Sequence, residues 1–449
     1  MARSYKAVVG GDIQKTFGWS IPGSPYALAS NDEGVEATYD LTQYAILPAG
    51  ITPVWRVVAS PAGVTIDQSG LLTKADSVPP YALYTVIIAL SQDFDGYAET
   101  QRAFTFTVVP ENNTLIRFAP GHYIRPGLGD SLASVLSKLS TYDSRVKGIT
   151  LFRYWKDIET SQGVYDWSWY DSVVATCQTY NKRILMRIQD RIFNQTNPAL
   201  VVPQYIIDAN LHYVTTTSPR AGTALWRAAA MDYSIEIYKL MIDRYRDVVS
   251  ADGDPVLVGI YGEESIFGGV DLVYPDYSAE GLVTQELRRA HELRAYAPEL
   301  PYFWLTNWIT PHSTHSSTVW TGSLESHAAM ERWFDEACRA DPRIFTSYGP
   351  DTRFINGIQI DGWDHIRGQI GGIDHRGDYA VIGWTEALEW NAGSTAAEIY
   401  AGAVTDAGAA IMVWSTNPAQ WASDAYPYIA THPTNSVVPT NLVGRVEVI

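Results

Sequence analysis

Two acidic clusters stand out because each one ends an apolar run. VLVGIYGEESI (256–266) leads into Glu263 and Glu264, and AVIGWTEALEW (380–390) leads into Glu386, with Glu389 three residues further on. Adjacent like charges repel, and a carboxylate at the edge of a core loses hydration unless it is hydrogen-bonded or used. Two carboxylates facing one cleft suit glycosidic bond cleavage. One acid protonates the leaving oxygen while the other carboxylate attacks or stabilises the cationic sugar centre. Paired glutamates after an apolar run are also an ordinary solvated loop start, so their context has to decide.

Other chemistries find little support. HSTH (312–315) and DGWDHIRGQIGGIDHRGD (361–378) carry His and Asp, but not at a recognised ligand spacing. A single DFDG (93–96) reads as a plain turn. No G-x-S-x-G elbow and no G-x-G-x-x-G phosphate loop is present. Neither a metal nor a cofactor is expected. Cys177 and Cys338 are the only cysteines, too few for a disulfide framework. With 32 Lys plus Arg against 49 Asp plus Glu, the formal charge of −17 repels phosphate backbones and anionic lipid surfaces. Nucleic acid and membrane partners are not expected. The 15 Trp and 28 Tyr suit core packing, and also the flat apolar faces of sugars. The start, MARSYKAVVGGDIQ, lacks the apolar stretch of a signal peptide.

Two halves must position these residues. Residues 1–110 alternate apolar and polar in short runs such as GVTID (63–67), LYTVIIAL (83–90) and AFTFTVV (103–109), broken by Pro, Gly, Asn and Asp. This predicts a small all-β sandwich, with PENN (110–113) as a linker. From 114 to 449 strand-like and helix-like patterns alternate. The strand-like runs are 115–121, 148–155, 183–190, 256–263, 301–308, 343–349, 379–386 and 409–415. Helical periods fall between them, as at 131–142, 167–180, 225–249 and 323–340. Eight such pairs predict an α/β fold, a (β/α)₈ TIM barrel, with an open doubly wound sheet as the alternative.

The stretch GITLFRYWKDIETSQGVYDWSWYD (148–171), the TE of IGWTEALEW and the Trp of IMVWS (411–415) together resemble clan A glycoside hydrolases, the large group of (β/α)₈ retaining enzymes. The N-terminal pattern is similar to bacterial Ig-like and cadherin-like modules. The clan resemblance implies an acid/base after strand 4 and a nucleophile after strand 7. These are Glu264 and Glu386, with Glu263 as the orienting neighbour; the swap of Glu263 for Glu264, and Glu389 for Glu386, stays open. Glu263 stands where the clan usually has Asn. The resemblance also implies a carbohydrate substrate, contacted by Arg153, Trp155, His122, Trp308, Tyr348, Trp384 and Trp414, while each of these residues also has an ordinary packing role. Arg187 and Asp190, at the end of the third strand-like run, are further supporting residues. A non-catalytic glycan-binding platform is the alternative function. In either case an Ig-like unit without a visible leader suggests an extracellular or virion-associated protein joined to a larger assembly.

Overall fold

The computed structural model describes residues 115–449 apart from 128, 217–218, 263–269, 271–272, 307–328, 330–331, 349–380, 386–394, 407, 417–418 and 444. Before residue 113 it describes 18–19, 26–27, 31–32, 36–46, 54–59, 63–75, 83–91 and 100–109. The chain divides into two compact units, Met1–Asn112 and Asn113–Ile449.

Among its described residues the first unit consists of strands and one 3₁₀ turn. Leu83–Ser91 runs antiparallel to both Thr100–Val109 and Val54–Ala59. A second group has Leu71–Lys74 between Ala37–Asp40 and Val64–Ile66, again antiparallel. The turn joining Val64–Ile66 to Leu71–Lys74 needs a glycine. Gly70 has φ +85°, and a Cβ there would lie 2.7 Å from the buried Trp55 ring.

The second unit is a closed ring of eight parallel strands in sequence order. They are β1 (Gly121–Arg125), β2 (Val146–Tyr154), β3 (Arg183–Gln189), β4 (Leu257–Gly262), β5 (Tyr302–Thr306), β6 (Ile344–Tyr348), β7 (Val381–Thr385) and β8 (Ile411–Ser415). β8 closes onto β1 with Gly121 opposite Ile411 and Arg125 opposite Ser415. Seven of the expected strands lie within two residues of these bounds. The expected first strand does not. Residues 115–121 contain Ile116–Phe118, which pairs in parallel with Val446–Val448 outside the ring, and the barrel strand starts at Gly121. Pro120 explains the break, because it has no N–H to continue a ladder.

The strands are buried on both faces, as a covered parallel sheet requires, and two apolar clusters divide those faces. Tyr123, Leu185, Tyr261, Phe303, Phe345, Ile382 and Val413 fill the lumen, together with Phe118 and Leu442. The second cluster lies between the wall and helices α1 (Leu132–Thr141), α2 (Ser168–Thr179), α3 (Ala228–Tyr245) and α4 (Ala279–Tyr296), and it includes Ile149, Leu151, Ile188, Trp304 and Trp414. Local signals start the helices. Ser131 accepts from the Ser134 N–H and Ser278 from the Gly281 N–H, each satisfying an otherwise unpaired first-turn donor. The loop from β3 to α3 carries a three-stranded antiparallel sheet of Arg191–Phe193, Arg220–Thr223 and His212–Thr215. No described helix is long and apolar enough to cross a membrane.

Candidate active site

The C-terminal ends of β1 to β8 are Arg125, Tyr154, Gln189, Gly262, Thr306, Tyr348, Thr385 and Ser415. Chemistry in this architecture belongs at that rim. Glu263, Glu264, Glu386, Glu389 and Trp308 lie outside the described residues, as do HSTH, DFDG and the 361–378 stretch. Tyr348 and Trp384 are placed by backbone alone. Tyr348 ends β6 opposite Thr306, and Trp384 stands opposite Val413.

β3 brings polar side chains to the rim from inside. In RILMRIQ, Ile184, Met186 and Ile188 face the helices, while Leu185 belongs to the lumen. The same alternation turns Arg187 and Gln189 inward. Arg187 is 3 % exposed, its Nη2 donates to Gln189 Oε1 at 2.8 Å, and its guanidinium lies 5.4 Å from the Tyr261 ring on β4. Gln189 in turn donates to the Arg191 carbonyl at 2.7 Å. A cation is thus held inside the mouth next to the strand that leads into Glu263-Glu264. Gln189 and Tyr261 escaped the sequence analysis; once Leu185 is known to face the lumen, period-2 spacing along β3 places Gln189 inside, while Tyr261 on β4 is placed by the lumen cluster. Asp190, the next residue along, is also buried and accepts from Arg191 Nε at 3.0 Å.

Of the expected sugar contacts, His122, Trp155 and Trp414 are packed within the wall, and Arg153 stands on its helix-facing side, partly exposed. His122 is the second residue of β1 rather than its end, and it is buried. Its Nδ1 accepts from Trp414 Nε1 at 2.9 Å, and its Nε2 lies 2.8 Å from the His432 carbonyl oxygen. Trp414 is fully buried among helix-facing residues, 6.2 Å from the Trp421 ring. Trp155 is 1 % exposed and donates to Glu159 Oε2 at 2.8 Å. Arg153 shares a face with Leu151, pairing with Asp157 at 3.5 Å and lying over Trp169 at 5.1 Å. The cavity it lines with Asp130, Thr150 and Trp169 is about 10 Å³, room for one water and not for a sugar ring. For the strand residues His122, Arg153 and Trp414 the physical reason is shared. A strand buried on both faces gives no polarity pattern to show which side is the lumen.

No group of three or more His, Cys, Asp or Glu among the described residues is placed to hold a metal ion. Neither a known family profile nor any curated protein sequence matches this chain. Solved structures resemble it only distantly. A family 5 glycoside hydrolase variant from Streptomyces cattleya aligns over 66 % of this chain and 70 % of its own, with 9 % identity and a TM-score of 0.42. A family 39 glycoside hydrolase from Bacteroides cellulosilyticus aligns over 86 % and 74 %, with 10 % identity and a TM-score of 0.36. For an endo-fucoidan hydrolase of family 107 the alignment spans 24 % of this chain and only 17 % of that one, at 12 % identity and a TM-score of 0.19.

Proposed function

We propose that the chain is a glycoside hydrolase that cuts a poly- or oligosaccharide by a two-carboxylate, retaining mechanism. One observation carries this reading. In the closed ring β4 ends at Gly262 and β7 at Thr385, and the residues that follow them in the chain are Glu263-Glu264 and Glu386. Strands about 4.8 Å apart and tilted about 36° give an eight-stranded ring a radius of about 7.5 Å. Strand ends three steps apart around such a ring are about 14 Å apart. Glutamate side chains reaching inward from both ends would narrow that span to about 5 Å, the separation that double displacement requires.

In this mechanism Glu264 gives a proton to the glycosidic oxygen as Glu386 attacks the anomeric carbon. Water activated by Glu264 then releases the glycosyl group from Glu386. Arg187 supports the division of roles. A guanidinium facing the lumen beside β4 favours an ionised Glu263, and an ionised neighbour favours the protonated form of Glu264. The all-β first unit is assigned as an Ig-like spacer.

A panel of polysaccharides, read by released reducing ends, tests the proposal. Wild type should release ends from at least one member, and Glu386→Ala should lower that rate by roughly three orders of magnitude or more with the fold retained. Equal activity in the two proteins would reject Glu386 as nucleophile.

A further inference from the structure

Gly262 closes β4 and immediately precedes the paired glutamates. A Cβ at this position would lie 2.2 Å from the Tyr302 hydroxyl, 2.8 Å from Glu286 Oε1 and 3.0 Å from Arg289 Nη2. The strand backbone therefore rests directly on a polar cluster outside the ring. Glu286 and Arg289 of α4 form an ion pair at 2.6 Å whose side chains are 0 and 1 % exposed. Tyr302, the first residue of β5, donates to Glu286 and accepts from Arg289 Nε at 3.0 Å. Tyr238 of α3 extends the cluster. Its ring lies 5.6 Å from the Arg289 guanidinium, and its hydroxyl donates to the Tyr261 carbonyl at 2.7 Å and accepts from the Ile188 N–H at 3.1 Å. The last two residues of β4 are thus gripped by α3, α4 and β5.

A wholly buried ion pair adds little net stability, because the loss of hydration offsets the attraction. What it does supply is a fixed geometry, since every donor has a set direction. Here that geometry bears on the residue before the two carboxylates. We infer that Gly262, Tyr302 and the Glu286–Arg289 pair are positioning residues that set how Glu263 and Glu264 leave β4. This rests on the two-carboxylate reading of the barrel mouth.

In the full chain, Gly262→Ala drives a methyl group into the Tyr302 hydroxyl, and adding Tyr302→Phe removes that oxygen. The readout is the pH dependence of carbodiimide labelling at Glu263 and Glu264, followed by peptide mass spectrometry, with turnover on the polysaccharide panel alongside. Gly262→Ala should move the labelling midpoint of at least one glutamate by about one pH unit. It should lower kcat about tenfold or more while KM stays within about twofold. The double variant should recover part of both changes, because it relieves the tightest contact while Glu286 Oε1 still lies 2.8 Å from the added Cβ and the loss of the hydroxyl itself loosens the cluster. Unmoved midpoints in a folded Gly262→Ala protein, or a double variant no nearer to wild type than the single one, overturn the inference. Should Gly262→Ala fail to fold, Tyr302→Phe alone decides, and unmoved midpoints there overturn it equally. Absence of turnover in wild type would defeat the glycosidase reading while leaving the labelling result to judge the positioning role.

Discussion

His122 shows how one buried ring can make stability depend on pH. Trp414 Nε1 donates to its Nδ1, so the neutral ring keeps its proton on Nε2, aimed at the His432 carbonyl. A second proton would need the nitrogen that Trp414 already occupies. Burial pushes the His122 pKa down from 6.5 to about 4, against the smaller upward pull of the His432 carbonyl. Between those two values the unfolded chain binds a proton that the fold refuses. Stability from this residue is therefore complete above about pH 6.5 and is lost as pH falls toward 4, at up to about 1.4 kcal/mol per pH unit. Urea unfolding at pH 7 and pH 4 should show wild type losing about 2–3 kcal/mol more than His122→Gln between the two conditions. Equal losses would mean that the ring does not govern the slope. The same packing predicts that Trp414→Ala lowers stability by about 3–5 kcal/mol through an unfilled core site. A variant that keeps its stability but raises KM would return Trp414 to the sugar site.

At the scale of elements, the hairpin after β2 turns on a single carboxylate. Glu159 opens the strand Glu159–Ser161, which pairs with Val164–Tyr165, and is 3 % exposed. Its oxygens accept from Trp155 Nε1 at 2.8 Å, the Tyr205 hydroxyl at 2.9 Å and the Gly163 N–H at 2.9 Å. Removing the acceptor strands those donors, and each buried one left unpaired costs about 1–3 kcal/mol. Denaturant titration of Glu159→Ala should thus report a loss of about 3 kcal/mol, with Glu159→Gln well short of it because the amide oxygen still accepts. A loss below about 1 kcal/mol in Glu159→Ala would show that water replaces the clamp. The positions of the elements were largely legible in the sequence. Buried parallel strands read as continuous apolar runs, so seven of them emerged within two residues; the first was misplaced because apolar character continues through Pro120 while hydrogen bonding does not. The facing of side chains was far less legible. RYW (153–155) and IMVWS look alike whether an aromatic ring meets solvent or helices, and only the closed ring separates Tyr261 and Arg187 inside from Trp414 and Trp155 outside.

At the scale of the molecule, the second unit has a floor as well as a mouth. Ile116–Phe118 pairs in parallel with Val446–Val448, Ile116 N–H donates to the Arg445 carbonyl at 2.9 Å, and Ile449 N–H donates to the Phe118 carbonyl at 2.9 Å. Phe118 of this pair and Leu442 of the preceding turn, both fully buried, join the apolar cluster of the lumen side chains. Ending the chain after Leu442 removes the outer strand and uncovers Ile116 and Phe118. Calorimetry should then show a destabilisation of about 2–4 kcal/mol in the barrel transition. An unshifted transition would mean that the floor is ornamental to barrel stability.

That floor also orders events during synthesis. The residues that seal the underside leave the ribosome after all eight staves, so a nascent barrel must wait with its Phe118 side unsheltered until Val446–Val448 has been made.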